Sequence, residues 1–239
     1  MSTAPCVQIG SLASSENGAF KIGPFGSSLK KSELVSEGVP IAGIENVLPN
    51  HFEKGFRRFI TDKKFCELSD YEILPDDVLV TTMGTIGRAA VAPRNLGRTI
   101  IDSHLFRMRF DAARVYPPYV CHALNSGLVV DQLSRKARGA IMDGLNTSIL
   151  KECVIPVPSL SEQQRIAGLL EQADRLRRTR RYALELSDTF LPAAFLKLFG
   201  NPIAASSRWD TDAFENLGAL DRGPGQLHQI ATSPSNCSR

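Results

Sequence analysis

The spacing of apolar residues changes character twice along this chain. Through residue 110 the apolar runs are short and strand-like, broken by turns rich in glycine, proline and serine. Val7 to Leu12 is a brief apolar piece, followed by the turn Gly23-Pro24-Phe25-Gly26-Ser27-Ser28 and a predicted helical turn over Leu29 to Val35. Pro40 to Ile44 and Phe56 to Ile60 read as strands. The strongest strand signal is Asp77 to Thr82, dense in β-branched residues between Pro75 and Gly84, with Arg88 to Val91 returning through the loop Met83 to Gly87. Leu105 to Phe110 alternates apolar residues with Arg107 and Arg109, which predicts a half-buried strand with a cationic outer face.

After Pro117-Pro118 the period becomes helical through Tyr119, Leu124 and Leu128 to Leu133. Gly139, Gly144 and Asn146 mark loops, and Val154 to Val157 is a last strand before Pro158. These short mixed elements predict an α/β domain of the α+β kind, built on small sheets and occupying residues 1–158.

The second change is abrupt. In IPVPSLSEQQRIAGLLEQADRLRR, from Ile155 to Arg178, a proline-punctuated extended segment turns into a charged, leucine-bearing helix. Ser159 with Glu162, or Ser161 with Gln164, has the spacing of a reciprocal N-terminal cap. Apolar residues recur at Ile166, Leu169, Ala173, Leu176, Ala183 and Phe190, with Leu170, Leu184 and Leu191 beside them, a heptad seam that requires a partner helix. At 1.5 Å per residue such a helix to Phe199 extends roughly 58 Å, too long for its own small domain to cover. Pro192 predicts a kink, and Gly200 followed by Pro202 ends the helix. The expected organisation is therefore a domain over 1–158, a long coiled-coil-forming helix over 159–200 and a polar tail over 201–239.

Composition narrows the class. Of the 239 residues 43% are hydrophobic and 22% charged, which suits a globular protein, and no apolar run approaches the ~20 residues that span a bilayer. The first residues carry no basic start followed by an apolar stretch, so the expected location is cytoplasmic. Five cysteines, none in a CxxC pair or a Cys/His ligand cluster, predict reduced thiols and no metal site. The adjacent Cys121-His122 lacks a second ligand pair or a base in evident reach.

The net charge of +3 is small but unevenly spread. Residues 80–140 hold nine basic side chains (Arg88, Arg94, Arg98, Arg107, Arg109, Arg114, Arg135, Lys136, Arg138) against three acidic ones, whereas residues 1–79 hold eight basic and eleven acidic. A locally basic surface on a near-neutral protein fits a polyanion that is read and released. Catalytic signatures are missing: there is no GxxxxGK[ST], no GxGxxG after a strand, and no Asn-Pro-Pro-aromatic element for holding a flipped base. Adjacent Asp76 and Asp77 precede a strand, where a turn or capping role is expected. No catalytic residue and no cofactor are assigned.

The run Ile155-Pro156-Val157-Pro158, then Glu162-Gln163-Gln164-Arg165-Ile166, then a leucine-bearing helix ending in Leu198-Phe199-Gly200-Asn201-Pro202, closely resembles the DNA-specificity (S) subunit of Type I restriction-modification systems. Gly23-Pro24-Phe25-Gly26-Ser27 resembles that family's opening loop, Asp76-Asp77-Val78-Leu79 before the Gly84 loop its central hairpin, and Ser103-His104-Leu105-Phe106-Arg107 the strand that follows. Asp76 stands where the family commonly has glycine. The resemblance covers residues 7–202 and implies a target recognition domain followed by a conserved helix, normally present twice per subunit, the two helices packing antiparallel as a ruler between DNA half-sites. Phe214 to Leu220 echoes Val7 to Leu12, so 201–239 is read either as the start of a truncated second repeat or as a disordered tail. The implied partners are double-stranded DNA, methyltransferase (M) subunits and through them the restriction (R) subunit, and a second copy or another half specificity subunit.

Base readout needs paired hydrogen-bonding side chains, and phosphate contact needs Lys, Arg, Ser or Thr. On that basis the DNA-binding candidates are Ser27, Ser28, Lys30, Lys31, Arg57, Arg58, Thr82, Thr85, Arg88 and the cluster Arg135, Lys136, Arg138. The arginine run Arg175, Arg177, Arg178, Arg180 and Arg181 is read as helix surface paired with Glu171, Asp174 and Glu185. The function expected is a non-catalytic, sequence-specific DNA reader that directs an adenine methyltransferase and restriction subunits to a bipartite target. The alternative is an antagonist whose helix seam captures specificity or methyltransferase subunits.

Overall fold

The computed structural model describes residues 4–137 and 147–201. Its strands are β1 (Cys6–Gln8), β2 (Phe20–Ile22), β3 (Leu34–Val35), β4 (Val39–Ala42), β5 (Val47–Leu48), β6 (His51–Phe52), β7 (Phe59–Ile60), β8 (Val78–Thr81), β9 (Ala89–Val91), β10 (Ile100–Ile101), β11 (Leu105–Met108) and β12 (Val154–Pro156). Its helices are α1 (Asp62–Glu67), α2 (Pro117–Leu124), α3 (Gly127–Ala137), α4 (Thr147–Glu152) and α5 (Leu160–Phe199). The chain divides into two compact units, Met1–Arg180 and Arg181–Arg239.

The first unit is a mixed α+β body. One four-stranded sheet has the order β2-β11-β8-β9 and is antiparallel throughout. A second has the order β10-β4-β7-β3, with β10 and β4 parallel. The first sheet is covered on both faces. Val78, Val80, Phe106 and Met108 pack with Ile9, Leu12, Tyr119, Leu124, Leu150 and Ala167, while Leu79 and Leu105 pack with Ala42, Val47, Ala90 and Ile101. Val39, Ile41, Ile60, Phe65, Leu68 and Ile100 form a third apolar cluster. Phe20 meets Phe106 and Phe110 edge-on, with ring centroids 5.9 and 5.2 Å apart, the arrangement favoured by opposed ring quadrupoles.

Burial on both faces overturns the expected cationic outer face of Leu105 to Phe110. Every residue of β11 is buried, Arg107 included. Its guanidinium donates to the carbonyls of Asp70 (3.0 Å), Glu72 (2.6 Å) and Gly18 (2.9 Å), so it ties three loop carbonyls to the sheet. Burial, with Arg109 nearby, lowers its pKa from the usual arginine value. Arg109, just past the strand, is clasped by Asp77 through Nε at 2.8 Å and NH2 at 2.9 Å, and that hydrogen bonding raises its pKa. Asp77 also accepts from the Leu74 amide, the capping role its place before β8 predicts. Asp76 has φ 68°, a left-handed turn that explains why glycine suits this position.

Leu29 to Val35 is another departure from expectation. Instead of an α-helical turn it forms a 3-10 turn at Lys31–Glu33, closed by a 2.7 Å bond from the Lys30 amide to the Glu33 carboxylate, and then β3 pairs with β7. Of Phe56 to Ile60 only Phe59–Ile60 is a strand.

The long helix begins where the cap spacing placed it. The Glu162 amide reaches Ser159 Oγ at 3.4 Å, while the Glu162 carboxylate turns to Arg165 at 2.7 and 2.8 Å. Strand β12 pairs antiparallel with β1, Val7 opposite Ile155, and so anchors the residues just before α5. The helix assignment runs through Pro192, and Gly200, at φ 77°, closes it with a bond from its amide to the Leu196 carbonyl.

Candidate nucleic-acid interface

Strand register brings four loops to one end of the first unit. Strand β2 leaves at Ile22 and β8 at Thr81, while β11 enters at Leu105 and β9 at Ala89, and the pairs Phe106↔Ile22, Leu105↔Thr81 and Val80↔Ala89 place these termini side by side. In the second sheet β4 and its parallel neighbour β10 both leave toward Asp102, whose amide donates to the Ala42 carbonyl at 2.9 Å. Residues 23–28, 43–46, 82–88 and 102–104 therefore converge.

Their contacts are close. The Gly23 amide donates to the Leu105 carbonyl at 3.1 Å, and a Cβ at Gly23 would overlap the Asp102 carbonyl, so that approach requires glycine. The Thr82 amide donates to the His104 carbonyl at 2.8 Å. The 82–88 loop is closed internally: Thr81 Oγ1 donates to the Thr85 carbonyl and accepts from the Arg88 amide at 3.1 Å, and the Gly87 amide donates to the Thr81 carbonyl at 2.9 Å. Gly84 and Gly87, at φ 69° and 82°, make the left-handed turns this closure needs. What the loop presents outward is Thr85 and Ile86.

Asp102 is the hub beneath these loops. Its carboxylate accepts from Arg58 at 2.7 Å, from the His104 amide at 2.9 Å, and lies 3.2 Å from His104 Nδ1, leaving the imidazole partly exposed. Arg58 also meets Glu45 at 3.4 Å; burial works against its charge, but the two carboxylates outweigh burial and raise its pKa.

The predicted readers are distributed unevenly. Ser27 and Ser28 are exposed on the 23–28 loop beside Phe25, and Lys30 and Lys31 follow on the same stretch, also exposed. Thr85 is exposed at the convergent end, but Thr82 is buried there and Arg88 is half-buried. Arg57 is exposed, while Arg58 is engaged with Asp102 and Glu45. Arg135 is exposed on α3, two residues beyond Leu133, whose side chain lies against Gly87. Lys136 is on α3 as well, and Arg138 lies outside the described residues.

The other basic residues have partners within the domain: Arg109 is held by the buried Asp77, while Arg94 pairs with Asp76 and Arg98 with Asp62 at the exposed surface, where Arg114 donates to the Ser11 carbonyl. Charge counting along the sequence missed His104, Phe25 and Ile86, because none of them carries a fixed charge.

Cys121 and His122 offer no nucleophile. Burial, aided by Asp174, pushes the Cys121 thiol up to about 12, so it is protonated at neutral pH, and burial lowers the His122 pKa despite Asp174 3.8 Å away. Among the described residues no cluster of His, Cys, Asp and Glu could hold a metal ion, and no helix is long and apolar enough to cross a membrane.

On α5, Gln163 and Ala167 are buried, and Ile166, expected on the partner seam, instead packs half-buried on the core of its own domain because it lies beside Ala167 on the inward side of the helix. Within the first unit Leu169, Leu170, Ala173 and Leu176 are exposed. Within the second, Ala183, Leu184, Phe190 and Leu191 are exposed, as are Phe195, Leu196, Leu198 and Phe199. Of the expected acidic partners for the arginine run, Asp174 meets Arg177 at 3.5 Å.

The family described as Type I restriction modification DNA specificity domain matches residues 20–186. A Methanocaldococcus jannaschii protein described as the type I restriction enzyme MjaX specificity subunit is 24% identical over 68% of this chain and 39% of its own length. The type I restriction enzyme EcoBI specificity subunit of Escherichia coli is 21% identical over 73% of the chain and 37% of its own length. The chain thus spans about two fifths of the length of these curated relatives. In fold it is similar to the HsdS subunit of Thermoanaerobacter tengcongensis (TM-score 0.56, 20% identity, 86% of this chain and 52% of that one). It is also similar to a chain from a study of complex assembly and conformational transition of the type I R-M system (TM-score 0.59, 17% identity, 81% and 44%). With a match across well over half its length, from the second strand into the long helix, the chain belongs to the family of Type I restriction-modification DNA specificity domains.

Proposed function

We propose that this chain acts in the cytoplasm as the sequence-specific DNA-binding specificity subunit of a Type I restriction-modification complex. It supplies no chemistry itself. Residues 1–158 form the reader and 159–200 the spacer helix, and 201–239 belong to a second repeat or a tail. The reader places adenine methyltransferase subunits, and through them the restriction subunit, on a bipartite target. The observation that carries this reading is the convergence of the 23–28, 43–46, 82–88 and 102–104 loops at one end of the sheets, presenting Ser27, Ser28, Thr85, Ile86 and His104, with Arg135 exposed on α3. Hydroxyls and imidazole can pair with base edges, Ile86 can meet a thymine methyl, and the arginine suits phosphate. The exposed seam of α5 supports pairing with the helix of a second copy, so that two readers address two half-sites.

Co-expression with a methyltransferase subunit and mapping of methylated adenines tests this. A single interrupted motif is expected. Thr85→Ala with Ile86→Ala changes the bases accepted in the motif, whereas Arg135→Ala keeps the bases, weakens binding and reduces the log-log salt slope by about one contact. Binding indifferent to both sequence and salt would favour the antagonist reading.

A further inference from the structure

Within the first unit, α5 is held at its root by the buried Gln163 with Ala167 and Ile166 packed on the core beside it, and further along by a second, polar contact at Asp174. At its root the buried Gln163 carboxamide donates to the carbonyls of Arg114 (3.0 Å) and Pro158 (2.9 Å) and accepts from the Tyr116 amide (2.8 Å). Eleven residues on, three helical turns and thus the same face, Asp174 accepts from Asn50 Nδ2 at 2.9 Å. Asn50 is itself fastened to the reader. It sits in the β5–β6 turn at φ 56°, a conformation asparagine tolerates, and its amide donates to the Ala89 carbonyl at 2.9 Å. Asn125 locks the junction: its Nδ2 donates to Asn50 Oδ1 at 2.7 Å and to the Ala89 carbonyl at 2.8 Å, and its Oδ1 accepts from the Ala89 amide at 3.0 Å. Ala89 is the first residue after the 82–88 loop. A cleft of about 590 Å³ lies alongside, lined by Asn50, His122, Glu171, Asp174 and Arg178 among others, so apolar packing does not close this junction.

We propose that Asn50, Asn125 and Asp174 are positioning residues that set the direction of the spacer helix relative to the recognition loop, and through it the number of base pairs accepted between half-sites. The proposal rests on the specificity-subunit reading above. A rod fixed at one point pivots, whereas a second fixed point sets its direction. The two points lie about 16 Å apart along the axis, so a sideways shift of about 1 Å at Asp174 turns this stretch of helix by about 4°. The anchor acts on spacing and leaves the base-reading side chains untouched.

Two measurements decide it. In the full chain complexed with its methyltransferase subunit, Asp174→Ala is expected to leave the half-site bases unchanged while sites one base pair longer or shorter become methylated at a tenth or more of the native level. Asp174→Asn keeps an oxygen facing Asn50 and is expected to retain the native spacer. In the isolated chain, backbone amides of residues 170–178 should exchange about tenfold faster in Asp174→Ala than in wild type, the effect of losing one charge-assisted bond. A native spacer in Asp174→Ala, altered half-site bases, identical behaviour of the Ala and Asn variants, or unchanged exchange each overturns the proposal. If the wild-type complex methylates no bipartite site, the function reading fails, and the exchange experiment still decides whether the anchor exists.

Discussion

The two stretches of α5 invert the usual division of labour between polar and apolar residues. From Gln163 to Asp174 the contacts with the reader are made largely by polar groups, a buried carboxamide and a carboxylate, helped by Ala167 and Ile166. From Leu176 to Phe199 the residues that would ordinarily be hidden are in solvent: Leu176 is 70% exposed, Leu191 74% and Phe190 67%. Polar anchors give direction because hydrogen bonds are specific in geometry, whereas an apolar stripe has little directional preference and awaits any complementary stripe. One part of the helix is therefore already packed, and the other leaves its large apolar side chains exposed, as an interaction surface does.

Breaking the apolar side should give the largest effect. On the proposed pairing, Leu184→Asp with Leu191→Asp removes about 1.5–3 kcal/mol per buried leucine from each of the two helices, so self-association measured by sedimentation against concentration should weaken by about 10,000-fold or more. The same pair should leave the urea stability of the first unit almost unmoved, within about 0.5 kcal/mol, because both residues are exposed and belong to the second unit. Breaking the polar side gives the opposite signature. Gln163→Ala strands one buried amide and two carbonyls and should cost about 3 kcal/mol of urea stability while leaving association through the seam intact where the domain remains folded.

The smallest effect sharpens the junction rather than breaking it. His122 lies beside Asp174 with its pKa below the usual histidine value, chiefly because it is buried. Below pH 6.5 the unfolded chain then binds more protons than the folded one, so stability should fall as pH drops from 6.5 and level off below the folded pKa. The slope cannot exceed about 1.4 kcal/mol per pH unit, and His122→Gln should remove it, as acid titration of the urea midpoint would show.

Arg107 and Arg58 illustrate why part of the site was not legible in the order of residues. The alternation around Arg107 has the period of a strand with one wet face, yet both faces of β11 are covered and the guanidinium serves three carbonyls that come from residues 35, 37 and 89 positions away. Arg58 reads as a surface cation until Asp102, 44 residues on, is seen to hold it. In both cases sequence reports the charge and tertiary packing decides whether that charge meets solvent. By contrast the exposure of Ser27, Thr85 and Arg135 was legible, since glycine-rich turns and polar helix faces are exposed by local rules.

Local chemistry settled the long helix. A serine and proline before Leu160, leucines recurring at helical spacing and a left-handed glycine after Phe199 act over one or two turns, so the sequence alone marked where the helix starts and where it stops. The strands of Val78–Thr81 and Ala89–Val91 were marked in the same way by β-branched and small apolar residues between turns. Which loops share an end of the sheet, and which polar residue grips the helix, depended on the tertiary structure. The Asn50–Asp174 bond joins residues 124 positions apart, a separation over which no periodicity carries information and only the packed fold brings donor to acceptor.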